Sequence, residues 1–189
     1  MAEIFRTARL RVRPWTASES DVAAAFAIYG DPEVKRYLFS GSADADVDVT
    51  RAWLTQFVAE ADPASSTGSW AVELLDDGAV VGTAILKPVD MNGVVDIEIG
   101  FHLARSVWRR GYATELAIGL LTHGFATFAV PRIISFAQPD NAASRRVLVK
   151  SGFRETGTSE FKGVPVVTYV IDRERSSKPL SPDQYPGDR

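Results

Sequence analysis

Apolar and polar residues alternate from Arg9 to Arg13, where Leu10 and Val12 stand between arginines and Pro14 ends the run, so a short first strand at a sheet edge is predicted. The rhythm then turns helical. Ser18 and Asp21 resemble a capping box, Val22, Phe26 and Tyr29 follow at helical spacing, and the helix is expected to end near Gly30. Asp31-Pro32 opens a second helical turn with Val34, Tyr37 and Leu38, and Ser40 to Asp46 is loop in composition. Along Asp48 to Ala61, residues Trp53, Leu54, Phe57, Val58 and Ala61 draw an apolar helical stripe whose aromatics are expected in the core, and a loop from Asp62 to Ser69 follows.

Trp70 to Leu75 and Val80 to Lys87, separated by Asp76-Asp77-Gly78-Ala79, predict an antiparallel hairpin. Asn92-Gly93 marks the next turn. Beyond it Val95, Ile97 and Ile99 alternate with Asp96, Glu98 and Gly100, which places two carboxylates on one face of a strand running to Leu103. Same-face neighbours on a strand are roughly 6.6 to 6.8 Å apart, so Asp96 and Glu98 are separate groups rather than a pair sharing one proton. Thr114 to Phe128 carries an apolar surface wide enough for a largely buried helix, with Leu116, Leu120, Leu121 and Phe125 at its centre. Arg132 to Gln138 is a further strand, and Asn141 stands at the N-cap of a helix that Gly152 closes. Phe153 to Thr156 and Val164 to Ile171 pair around Lys162-Gly163, with Pro165 at a strand start or edge. Residues 174–189 hold three prolines and almost no apolar side chains, so they are expected to form a flexible tail behind a single domain, 1–173.

Composition narrows what this chain can do. With 189 residues and 46% hydrophobic content, one domain with a real core is the simplest reading. A net charge of -3 argues against a broad nucleic-acid surface but allows a local basic pocket. There is no cysteine for a disulfide, thiolate site or nucleophile, and neither His102 nor His123 has a second ligand at metal spacing, so no metal is expected. No run of about 18 apolar residues and no apolar leader are found, and a soluble cytoplasmic protein without a membrane partner is expected.

The candidate chemistry lies between strand and helix, at Trp108 to Glu115. A helix start leaves its amides unpaired and carries partial positive charge, and Gly111 would let an anion approach that backbone, with Arg105, Arg109 and Arg110 adding formal charge. A second strand-to-helix junction follows at Ile133 to Ser144.

Taken together, these segments resemble the GNAT superfamily of N-acetyltransferases, and within it the Rim-type ribosomal-protein N-terminal acetyltransferases. Trp108-x-x-Gly111-x-Ala113 occupies the family's pyrophosphate pattern, Gln/Arg-x-x-Gly-x-Gly/Ala, departing from it at Trp108 as the Rim-type version does. Arg9-Leu10-x-x-Arg13 is similar to the opening strand, Asp96 to Phe101 to the fourth strand, and Asn141-Ala142-Ala143-Ser144 with Gly152-Phe153 to the second cofactor segment. The resemblance implies an α/β (α+β) fold with a mixed, mostly antiparallel sheet of about six to seven strands and about four helices. It implies acetyl-CoA as co-substrate, with the pyrophosphate on the backbone of Arg109, Arg110, Gly111, Tyr112, Ala113 and Thr114. The pantetheine arm would lie between splayed strands near Phe101 and Leu103, with Asn141 and Ser144 also at the cofactor.

On the same grounds Glu98 is the candidate general base, acting through water, with Asp96 and His102 as competitors. Many family members carry an acidic tyrosine seven residues after the asparagine. Leu148 stands there, so Ser144 is the hydroxyl available to the leaving thiolate. A free α-amine, with reference pKa about 7.7 to 8.0, needs less help from a relayed carboxylate than a lysine does, which favours a protein N-terminus as acceptor. A small amine such as an aminoglycoside or polyamine is the alternative, and a homodimer is the assembly left open. A non-catalytic acyl-CoA-binding module is the rival class, given Leu148 and a Val149 where this group often has an acidic residue. Hydrolase and nucleotide motifs are missing: Gly-x-Ser-x-Gly, Gly-x-Gly-x-x-Gly and Gly-x-x-x-x-Gly-Lys do not occur.

Overall fold

The computed structural model describes residues 3–176 except 40, 41, 63 and 92. The Asn92 turn signal, part of the Ser40 loop and all of the expected 174–189 tail except 174–176, which lie in a helical turn, fall outside the described residues.

Eight strands form one sheet among the described residues: β1 Phe5–Arg6, β2 Leu10–Arg13, β3 Gly68–Leu74, β4 Val80–Met91, β5 Val94–Leu103, β6 Arg132–Ala137, β7 Arg154–Phe161 and β8 Val164–Asp172. Their order is β1-β2-β3-β4-β5-β6-β8-β7. Four helices longer than two turns accompany them, α1 Glu19–Tyr29, α3 Val47–Glu60, α4 Tyr112–Thr127 and α5 Ala142–Lys150, with single turns α2 Pro32–Lys35 and α6 Arg173–Ser176. The expected fold class holds, with one more strand than expected. β1 is that strand, two residues long and too short to show alternation. It lies outside β2, pairing Phe5 with Val12, so β2 is not the edge that its sequence predicts.

Most of the sheet is a meander whose hairpins arise where the turn residues stand. Leu86 on β4 pairs with Ile99 on β5, and Gly124 of α4 packs so closely on Leu86 and Ile133 that an added Cβ would lie 2.9 Å from the Ile133 side chain. Cross-strand neighbours share a face. Ile97 and Ile99 therefore point toward α4, and Glu98, Gly100 and His102 point to the opposite face, where Tyr29 of α1 meets Thr83 and His102.

The helix signals hold in part. Ser18 caps α1 by accepting from the Asp21 amide at 3.3 Å. Asp21 does not complete a capping box: its carboxylate accepts from the Thr16 amide at 2.8 Å and from both terminal nitrogens of Arg13 at 2.9 and 2.7 Å. Arg13 also donates to Glu73 at 2.8 Å, and all three groups are buried, so a paired ion network ties β2 and β3 to the start of α1. On α3 the stripe is only half used. Leu54 is fully buried, but Phe57 remains 36% exposed, because α3 packs on α1 rather than on the sheet, and this corrects the expectation that the α3 aromatics are all core. At the far end of α5, Gly152 and Phe153 donate to Val149 and Leu148, each at 3.1 Å, closing the helix where Gly152 predicted.

One junction in the sheet is parallel. β5 and β6 pair only at Ile97 with Ile133 and at Glu98 with Ile134. Both strands continue, to Leu103 and Ala137, without further pairing. The Ser135 hydroxyl donates to the Ile99 carbonyl at 2.8 Å at the point of divergence. The sheet is split from there on.

Candidate active site

The split opens into a cleft of about 250 Å³ lined by Glu98, Gly100, Phe101 and His102 from β5, by Ser135 to Ala137 from β6, and by Asn141 and Ser144 at the start of α5. Tyr37, Leu38 and Phe39 close one side after α2, and Phe161 and Lys162 reach in from the β7–β8 hairpin. Five of the sequence candidates, Glu98, Phe101, His102, Asn141 and Ser144, thus meet around one space. Leu103 is buried and does not line it, nor do Arg109 to Thr114.

Val95 is 66% exposed, whereas Ile97 and Glu98, on opposite faces, are 8% and 7% exposed, so the strand enters the protein just before this carboxylate. The Glu98 Oε2 atom is buried and has no hydrogen-bond partner among the described residues; the Lys87 ammonium lies 3.9 Å away. Burial pushes the Glu98 carboxyl up to about 7, against the opposing pull of Lys87 and Lys162. Such a group exchanges a proton near neutrality and has an oxygen free to do so. Asp96 differs. It forms a two-pronged ion pair with Arg132 at 2.9 and 2.8 Å and is absent from the cleft, so the competing carboxylate is occupied elsewhere.

His102 lines the cleft from the same face as Glu98, with Gly100 between them; a Cβ at Gly100 would come 3.6 Å from the Glu98 carboxylate. Its Nδ1 lies 3.2 Å from the Tyr29 hydroxyl, which lies 2.8 Å from that of Thr83. Burial, then the charges of Lys35 and Lys87, lower the His102 pKa to about 4, so the ring is neutral at physiological pH. The same burial pushes the Tyr29 phenol up to about 12.

On α5, the Asn141 side chain accepts from the Ser144 amide at 3.1 Å, which is the expected N-cap. The Ser144 hydroxyl stays uncommitted at the cleft wall among the described residues. Leu148 is fully buried core and does not line the cleft.

The anion-binding candidate is a separate construction. A 3₁₀ turn, Arg105–Val107, leads through Trp108, whose indole N–H donates to the Leu103 carbonyl at 2.8 Å and ties the loop to the end of β5. Arg109 and Gly111 both adopt left-handed backbone, φ 62° and 80°, which turns the chain sharply into α4. Gly111 offers no side-chain cap, so the first amides of this 16-residue helix are left without the usual partner. An acid in that turn, Glu115, would oppose an anion there. Instead it is drawn aside: it accepts from the Thr7 hydroxyl at 2.6 Å, from the Arg9 amide at 2.8 Å and from Arg9 Nε at 2.6 Å. Burial raises the Glu115 pKa, and these hydrogen bonds outweigh it and hold the carboxyl below its ordinary range. Arg9 also donates to the Arg110 carbonyl at 3.0 Å and covers the Tyr112 ring at 4.4 Å.

Thr7 and Arg9 are therefore the parts of this site that residue patterns missed. The run Arg9-Leu10-x-x-Arg13, read as a strand signature, included Arg9 but not Thr7. Their role depends on a contact spanning more than one hundred residues of sequence, for which local periodicity carries no signal.

Comparison with known proteins fits this geometry. A family profile described as an acetyltransferase (GNAT) domain matches residues 9–154. An uncharacterized N-acetyltransferase of Bacillus subtilis, YoaA, is 28% identical over 157 residues, 83% of this chain and 86% of that protein. The fold is shared with Mycobacterium smegmatis RimJ in complex with CoA-disulfide, with TM-score 0.69, 24% identity, and coverage of 89% and 84% of the two chains. It is shared too with the aminoglycoside acetyltransferase AAC(6')-Ib in complex with coenzyme A, with TM-score 0.67, 20% identity, and coverage of 88% and 95%. With residues 9–154 matched and the split sheet in place, the chain belongs to the GNAT acetyltransferase family and is an acyltransferase.

Proposed function

We propose that this enzyme transfers the acetyl group of acetyl-CoA to a primary amine, and that the amine is a protein N-terminal α-amine. The observation that carries the reading is Glu98: a buried carboxyl with a free oxygen, set where β5 and β6 part.

The residues present fit acetyl-CoA. The uncapped start of α4, cleared of negative charge by the Arg9–Glu115 contact, suits a pyrophosphate on the amides of Arg109 to Thr114. The unpaired edges beyond Glu98 and Ile134 suit an extended amide-bearing arm near Phe101 and Leu103. When bound, acetyl-CoA supplies a thioester carbonyl as the acyl donor. Glu98 Oε2 accepts the proton of the incoming ammonium, directly or through one water, leaving the nitrogen lone pair free to attack. The Ser144 hydroxyl donates a hydrogen bond to developing negative charge on the sulfur side, and Asn141 holds the first turn of α5 in place for it. Neutral His102, held by Tyr29, orients the amine without adding positive charge.

A panel of peptides and small amines incubated with isotopically labelled acetyl-CoA and read by mass spectrometry tests the assignment. Label on peptide α-amines that disappears in Glu98→Gln is expected. Label confined to small amines would remove the protein acceptor, and tight acetyl-CoA binding with no transfer to any amine would favour the binding module.

A further inference from the structure

We propose that the acceptor carries a carboxylate close to its reacting α-amine, together with an apolar side chain, and that polycationic amines are turned away. This deepens the transferase reading and rests on it.

The charged side chains lining the cleft among the described residues are Lys87, Glu98 and Lys162. Lys87 pairs across β4 and β5 with Glu98, its ammonium 3.9 Å from Oε2 and the side chain 46% exposed. Lys162 stands at the tip of the β7–β8 hairpin with φ 52°, 5.7 Å above the Phe161 ring, and has no carboxylate at ion-pair distance among the described residues. Both ammonium groups act on Glu98, opposing the effect of its burial, so their fields reach the point where the amine must lose its proton. Burial prevails, so near neutral pH Glu98 offers only part of one negative charge against two positive ones. His102 adds none of either sign.

The cleft is therefore positive before any acceptor enters, and the excess is not needed for phosphate. The loop at Gly111 lies outside the cleft lining, and its own arginines, Arg105, Arg109 and Arg110, are exposed beside it. A polyamine or aminoglycoside would bring further ammonium groups toward Lys87 and Lys162, and like charges at close range repel. An acceptor carboxylate would instead meet Lys162 while the amine meets Glu98. The same cleft carries an apolar wall. Phe136 lies 4.5 Å from Phe161, and Phe39 lies 5.2 and 5.8 Å from Phe161 and Phe136, a surface for an uncharged side chain.

The shared chemistry is an α-amine, an apolar side chain and a carboxylate, which a free amino acid or a peptide start with an acidic second residue can both supply. The test uses the full chain and four acceptors: phenylalanine, phenylalaninamide, a Phe-Asp peptide amide and a linear triamine. Two readouts are taken, kcat/KM with acetyl-CoA and acceptor affinity by calorimetry with CoA present. The carboxylate-bearing acceptors are expected to exceed phenylalaninamide by about tenfold and the triamine by more in both readouts. Lys162→Glu should erase that preference and Lys162→Arg retain it; Lys162 is exposed, so neither variant threatens folding. Phenylalanine ahead of the peptide identifies a free amino acid, and the reverse order a peptide start. A triamine equal to or better than the carboxylate-bearing acceptors, or a ranking unmoved by Lys162→Glu, overturns the proposal while leaving a working transferase. The expected ranking in affinity without any transfer upholds the charge selection and removes the catalytic reading.

Discussion

Glu73 and Glu98 are each 7% exposed on neighbouring parts of one sheet, and the protein treats them in opposite ways. Glu73 receives Arg11 and Arg13, and through Arg13 it is joined to Asp21, whose carboxyl is driven upward by burial and pulled lower still by Arg13 and Thr16. Glu98 receives a single ammonium at 3.9 Å and keeps one oxygen unpartnered. Burying a carboxylate without saturating it is destabilising, and such groups cluster at functional sites. Equal burial thus has two outcomes: Glu73 is held by two arginines, and Glu98 keeps an unpartnered oxygen.

The contrast can be broken most sharply on its unpartnered side. Glu98→Gln keeps the shape and removes the proton acceptor, so kcat should fall about 10²- to 10⁴-fold while acetyl-CoA affinity stays nearly unchanged, as steady-state kinetics and calorimetry would show. If turnover survives, Glu98 is not the base. On the paired side, Arg13→Ala leaves Asp21 and Glu73 buried without their common partner and should destabilise the fold by about 3–5 kcal/mol in denaturant titration. A loss below about 1 kcal/mol would mean that the network adds little.

Gly111→Asp tests the third anchor. A side chain at φ 80° is strained, and a carboxylate there opposes an anion, so acetyl-CoA affinity should fall about a hundredfold with the fold intact. Next in size is a gain. The folded-state pKa of Glu98, about 7, lies above its ordinary value of 4.5, so its contribution to stability is full below the unfolded pKa and is lost as pH rises through 7. Glu98→Gln should therefore be more stable than the parent at pH 8 by about 1–3 kcal/mol, with no advantage at pH 4. In the parent, kcat/KM should rise through pH 7 with the deprotonated carboxylate, and that limb should vanish in the variant. The smallest effect is expected for Ser144→Ala, a loss of about tenfold in kcat with KM for the amine unchanged, because a single neutral donor is removed.

Some spacing signals were read correctly. Alternation placed Glu98 opposite Ile97 and Ile99, and Gly111 and Asn141 marked two helix starts because the residues that solve a backbone problem sit at the position of the problem. The direction each face takes was not legible, since alternation alone cannot say whether the Glu98 face meets water or the interior; the packing of Tyr29 and the aromatic wall over that face decides it. Asp21 read as half of a capping box, yet the burial of Arg13 draws it inward. Thr7, Arg9 and Glu115 come together only through the whole fold. β1 and the exposed β7 carry too little apolar pattern to be read fully, being held by backbone pairing to β2 and β8.

Trp108 gives the loop a further property. Trp15 and Trp70 are 6% and 7% exposed, whereas Trp108 is 43% exposed and hydrogen-bonded to the Leu103 carbonyl at 2.8 Å. Its indole ties the loop before the uncapped helix start to the last residue of the split strand, the two parts proposed to hold the donor. An aqueous quencher should therefore reach this tryptophan in the free enzyme and lose access as the loop fills. The chain carries its own fluorescent gauge of occupancy, needing no label, and a Trp108→Phe variant would supply the dark control.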